Sequence, residues 1–176
     1  MKNAKQIISL TVLGIVLISV VSCKGDAKET ETIIEQDDIT VVEIQQANPE
    51  FKDATVAATF QHYLYLKNAL VKTDAIEAKK GAEMIANTTE NSEIKALAVV
   101  IASEPDIAKQ REQFSDLTTL LKPILVASLS SGEIYEQNCP MALSGGANWF
   151  AIEKQINNPY YGDKMLHCGL VQSTLN

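Results

Sequence analysis

The chain is short of basic side chains and of histidine, has a single tryptophan, and lacks the glycine-rich and paired-cysteine signatures of several common chemistries. Fifteen lysines and arginines against 22 acids leave a formal charge of −7. Displacing counterions from a phosphate backbone requires clustered cations, so nucleic acid is excluded as a partner. There is no Walker loop, no dinucleotide glycine fingerprint and no CxxC pair, which removes the usual nucleotide and dithiol motifs. His62 and His167 are the only imidazoles. His62, beside Tyr63, reads as a packed or surface residue. His167 and Cys168 are adjacent, and neighbours in an extended segment point to opposite faces, so they do not form a base and nucleophile pair. The carboxylates read as solvated helix faces, with no pair set apart for acid and base work. No catalytic residue is assigned, and the chain is not read as an enzyme. At 176 residues there is room for one core and no second domain, and no internal repeat is present.

What the chain does have is a cluster of soft donors near its end. Cys139, Met141, Met165, His167 and Cys168 all fall within 134–171, while Met84 and His62 are the only other such donors downstream of Cys23. Thiolate and thioether sulfurs favour Cu(I), or zinc and related ions when imidazole joins them, whereas carboxylate oxygens favour magnesium, calcium and manganese. The acidic surface attracts cations only diffusely, because salt screens exposed charges beyond about 10 Å at 0.1 M.

Lys2 and Lys5 followed by the apolar run Ile7 to Val21 read as an export signal over 1–22. The run ends at Val20-Val21-Ser22-Cys23, which resembles the bacterial lipobox, in which cleavage leaves the cysteine as a lipidated N-terminus. Cys23 is the expected lipidation site, anchoring the protein to the cell envelope. Lys24 in the next position is not the aspartate of an inner-membrane retention signal, so the outer membrane is the expected address. Residues 23–50 form an acidic, polar linker too poor in apolar area to fold by itself. It is interrupted by Ile33-Ile34 and by Val41-Val42 with Ile44, short runs able to add an extended segment to the body.

Four helical patterns follow from Phe51. Val56, Phe60, Tyr63, Leu66 and Leu70 recur every three or four residues. Asp74 with Glu77 reads as a capping box opening a second helix with Ala75, Ala78, Ala82 and Ile85 on one face. A third starts at Asn91 or Ser92 and presents Ile94, Leu97, Ala98 and Ile101. Ser103-Glu104-Pro105 ends it and starts the fourth, with proline in the first turn. Phe114, Leu117, Leu121 and Ile124 form the fourth stripe, with Pro123 expected to kink the helix near its end. Short loops make neighbouring helices antiparallel, so the expected fold is mainly α: an up-and-down four-helix bundle followed by a small C-terminal β-hairpin or loop that forms the metal-site motif.

That hairpin is read from Ile134-Tyr135 and Trp149-Phe150 on either side of Ser144-Gly145-Gly146. Asn158-Pro159 marks a second reversal that carries Met165 to Cys168 back toward Cys139.

The strings NCPMA (138–142), Asn148-Trp149, NPYYG (158–162) and KMLHCG (164–169) together resemble a bacterial family, domain of unknown function 3347. That family occurs in small exported proteins and at the ends of periplasmic adaptor subunits of copper and silver efflux systems. The resemblance spans 51–171, loose over the helices and specific over the C-terminal motifs. It implies copper or silver handling by association. Cys139, Met141, Met165 and Cys168 carry over directly, while His167 stands where the family more often has a small hydroxyl residue.

Two readings of the cluster remain open. In one, Cys139 and Cys168 with Met141 or Met165, and His167 as the weakest member, bind Cu(I) or Ag(I) behind Tyr135, Trp149 and Tyr160. In the other, Cys139 and Cys168 form a permanent disulfide, suited to an oxidising compartment. It would be worth roughly 3 to 4 kcal/mol in the chain-entropy model, and the protein would then bind no metal and dock on an envelope partner such as an efflux adaptor.

Overall fold

The computed structural model describes residues 48–176. The export signal, the Cys23 lipidation site and the interrupting runs at 33–34 and 41–44 lie outside the described residues.

Each helix begins at a side chain able to accept the backbone N–H groups that a first turn leaves unpaired. Helix α1 (Ala54–Val71) is capped by Asp53, which accepts from the N–H groups of Thr55 and Val56. Asp74 does the same for α2 (Ala75–Thr88), accepting from Ile76 and Glu77, and Asn91 for α3 (Ser92–Ser103), accepting from Glu93 and Ile94. Only half of the expected box at Asp74 is made. The Glu77 carboxylate is drawn sideways to the Tyr65 hydroxyl and to Lys80, and the Asp74 N–H donates to Ala69 O at 3.0 Å, closing the end of α1. Helix α4 (Ile107–Ser128) is capped by Asp106, so Pro105 precedes the cap and does not occupy the first turn. A proline biases the residue before it toward extended backbone, and Glu104, at ψ 119, ends α3 in that shape. Helix α4 continues through Pro123 to Ser128.

The apolar stripes face inward as the spacing requires. Phe60, Tyr63, Leu66, Leu70, Ala78, Ala82, Ile85, Ile94, Ala98, Ile101, Phe114, Leu117 and Leu121 are all buried, and burying a large side chain contributes about 1.5–3 kcal/mol. Each helix packs on the next, and α1 also reaches α4. Gly81 lets α2 approach α1 closely, since a Cβ there would stand 2.9 Å from Leu66 Cα.

Two small antiparallel sheets follow. Strand β1 (Glu50–Phe51) pairs with β2 (Leu129–Ser131), tying the start of the body to the end of α4. The second sheet has the order β4-β3-β5, with β3 (Ile134–Cys139) between β4 (Ala147–Ala151) and β5 (Leu170–Leu175). The expected hairpin is present, with Gln137 opposite Trp149 and Cys139 opposite Ala147. Strand β5 was not expected: its alternation is weak and its residues are exposed along most of their length. Alternation puts Tyr135, Gln137 and Cys139 on one face of β3 and Glu136 and Asn138 on the other. The Glu136 face meets the helices, where Lys122 of α4 donates to both Glu136 oxygens at 2.8 Å. On the adjoining strand the Phe150 N–H donates to Tyr63 Oη at 3.1 Å. The opposite face is covered by 152–169, where Gln137 Nε2 donates to the carbonyls of Glu153 and Gln155.

Candidate functional site: the Cys139–Cys168 sulfur pair

Strand register brings the two cysteines together. Asn138 pairs with Leu170, so Cys139, at the end of β3, lies beside the residues that lead into β5. Their Sγ atoms stand 3.3 Å apart. Two thiolates on one tetrahedral zinc-sized ion, with bonds of about 2.3 Å, lie roughly 3.8 Å apart, and a disulfide requires about 2.05 Å. The pair sits between these values, a small side-chain movement from either. Cys139 is fully buried, whereas Cys168 is only partly covered. The hydrogen bond with Cys139 and burial both push the Cys168 thiol up from its ordinary range.

Asn158 holds Cys168 in place, and it is itself wholly buried. Its Nδ2 donates to Cys168 O at 2.8 Å, its Oδ1 accepts from the Tyr160 N–H at 2.8 Å, and its own N–H donates to Leu166 O at 2.8 Å. The expected reversal at Asn158-Pro159 is thus built around an asparagine with every polar group in use. Gly169 completes the arrangement. It has a φ of +147°, and a Cβ there would stand 2.8 Å from Asn138 O and 2.9 Å from Trp149 Cη2, so only glycine fits directly after Cys168.

The other predicted donors are placed less closely. Met141 is 59% exposed on the turn after β3, its carbonyl held by the Tyr161 hydroxyl at 2.6 Å. Met165 is partly buried, and its carbonyl accepts from the Cys168 N–H at 3.0 Å. His167 is exposed, and its Nδ1 lies 2.8 Å from Ile156 O. An N–H donating there leaves Nε2 as the open nitrogen. Among the described residues no three histidine, cysteine or acidic side chains come together as a metal-ligand group.

The aromatic residues divide. Trp149 and Tyr160 are buried and meet edge to face at 6.0 Å, with Trp149 against the residue after Cys168. Burial pushes the Tyr160 phenol far up. Tyr135 shares the face of Cys139 but stands four residues away, about 13 Å along the strand. Its hydroxyl donates to Glu133, and Lys154 lies over its ring at 5.4 Å. It therefore covers a different part of the sheet.

Glu136 corrects the reading of the acids as solvated faces. It is 2% exposed and accepts from Lys122, Asn148 and Ser173. Burial pushes its carboxyl up, and the hydrogen bonds from Lys122, Ser173 and Asn148 outweigh burial and hold it below the ordinary range. Glutamate inside the strand run Ile134-Tyr135-Glu136 was the available signal, since a strand covered on both faces leaves no solvated position for it.

A family described as a protein of unknown function (DUF3347) matches residues 59–132. No curated protein and no solved structure matches the chain. The matched residues run from α1 to the end of β2 and stop before β3, so the similarity lies in the helices and not, as expected, most specifically in the motifs around the sulfur pair. Residues 59–132, most of the helical part of the chain, are similar to the DUF3347 proteins of unknown function.

Proposed function

We propose that this is an exported, lipid-anchored protein of the cell envelope whose C-terminal motif captures a soft metal ion, Cu(I) or Ag(I), as cargo. The approach of two thiols from separate parts of the chain to 3.3 Å carries the reading, because paired soft sulfurs are what such ions prefer. Cys139 and Cys168 are the primary donors. Met165 is next to be recruited, Met141 requires movement of its exposed turn, and His167 offers Nε2 only. Trp149 and Tyr160 screen the pair from water. The four helices, as an up-and-down bundle, are the rigid support. Cys23 supplies the membrane attachment, with the outer membrane as its address and an efflux adaptor as the recipient implied by the resemblance.

A second reading is favoured by the same short separation together with the exposure of Met141 and His167: a disulfide-stapled docking module with no metal of its own. Competition for Cu(I) against a chromogenic chelator separates the two, using reduced full-length chain with Cys23→Ser so that two thiols remain. One tight equivalent, lost in Cys168→Ala, is expected. No saturable uptake by protein with two titratable thiols would leave the docking module.

A further inference from the structure

We propose that Cys139 and Cys168 form a directional dithiol active in thiol–disulfide exchange, with Cys168 as the entry thiol, Cys139 as the resolving thiol and a small disulfide-bearing oxidant as substrate. The inference uses the same sulfur pair as the proposed metal site but requires no metal.

The direction comes from access. Cys139 is wholly buried at the end of the central strand, with Ala147 opposite it and the Ala142 N–H donating to its carbonyl at 3.2 Å, both residues themselves buried. Cys168 lies in the covering segment and is partly open, between the exposed His167 and, two residues on, Leu170, which is 54% exposed. Displacement at a disulfide sulfur requires the incoming thiol to approach it directly, and a disulfide bearing two peptide-sized substituents can reach Cys168 but not Cys139. Resolution comes from proximity. Cys139 Sγ stands 3.3 Å from Cys168 Sγ, and closing to about 2.05 Å is a displacement of about 1.3 Å. The Cys168 backbone is held meanwhile by Asn158.

Cys168 gives its proton to solvent and attacks one sulfur of the oxidant, whose S–S bond breaks. A Cys168 mixed disulfide forms, and one half of the oxidant leaves as a thiolate that takes a proton. Cys139 then gives up its proton and attacks Cys168 Sγ. The mixed disulfide breaks, the Cys139–Cys168 bond forms, and the second half leaves and is protonated. Two protein thiols are oxidised and one external disulfide is reduced to two thiols. One corollary alone rests on the metal reading: the oxidised pair has no thiolates left to hold a soft ion.

The test treats reduced full-length chain carrying Cys23→Ser with excess oxidised glutathione, quenched by acid over time and mapped by peptide mass spectrometry. The wild-type pair should show a transient glutathione adduct confined to Cys168, followed by a Cys139–Cys168 disulfide. Cys139→Ser should accumulate a lasting adduct on Cys168. In Cys168→Ser the remaining Cys139 should react at least tenfold more slowly, and in urea that difference should vanish, which ties the direction to the fold. Equal reactivity of Cys139 in folded Cys168→Ser, or a wild-type protein that keeps two adducts without an internal disulfide, would overturn the proposal. If Cys139→Ser fails to fold by circular dichroism, the order of adduct and disulfide in the wild-type pair decides. The Cu(I) titration is read separately, so loss of the metal reading leaves this result standing.

Discussion

Between Ala54 and Ser128 the fold is held by repetition: apolar side chains every three or four residues, one capping side chain per helix, and contacts between neighbours in sequence. Between Ile134 and Leu175 it is held by single, unrepeated contacts. Asn158 grips Cys168 and Tyr160, Gln137 binds two loop carbonyls, Glu136 collects three donors, and Gly169 fits where nothing larger can. A repeated contact can be lost once and the rest still holds, whereas an unrepeated one has no substitute. The helices should therefore lose stability in proportion to what is removed, and the β segment should lose its geometry outright.

The largest effect is expected from Phe114→Ala. Phe114 stacks on Tyr63 at 5.0 Å and touches Tyr160 at 5.9 Å, so its loss should cost about 3–5 kcal/mol in urea unfolding, while cysteine pairing survives in the remaining folded protein. Asn158→Ala should cost less, about 2–4 kcal/mol, because buried partners lose their hydrogen bonds at about 1–3 kcal/mol each. It should also raise amide exchange across 158–169 while leaving α1 to α4 protected. If exchange rises equally in the helices, the contrast between the two regions is wrong.

Acid should act selectively through Glu136. Its folded carboxyl is held below the ordinary value, so its contribution is present above the unfolded pKa, about 4.3, and is lost as pH falls from there through the depressed folded value. Glu136→Gln should flatten that part of the stability profile, measured by urea unfolding at stepped pH. Asp74→Ala removes one cap and should cost about 1 kcal/mol with no effect on the sulfur pair. Met141→Leu, on an exposed turn, should change stability by under about 0.5 kcal/mol. A lower Cu(I) affinity in that variant would show that its turn closes on the ion.

The helices were legible because a 3.6-residue period and a capping residue are local facts. Phe60, Tyr63, Ile94 and Phe114 mark their own faces. The hairpin was legible from its glycines and aromatics. For Glu136 only its place inside a strand run was legible; its partners were not, because Lys122 and Ser173 lie 14 and 37 residues away. Tyr135 stands four residues from Cys139 on the same strand, and its hydroxyl is taken by Glu133, a partner that the spacing of aromatics in the sequence does not indicate. The convergence of Cys139 and Cys168 followed from the turn at Asn158-Pro159. The exposure of Met141 depends on a turn whose shape the sequence does not specify.

Trp149 is the chain's one tryptophan, fully buried, set against Gly169 and edge-on to Tyr160. Tyr160 touches Phe114, which touches Tyr63, so two of the tyrosines can pass excitation energy to an indole packed against Gly169, the residue after Cys168. The protein's emission spectrum therefore reports on a single place. Heavy-ion quenching, sulfur oxidation and loosening of the covering segment can each be followed in unlabelled protein, as a change in brightness or colour from that one ring.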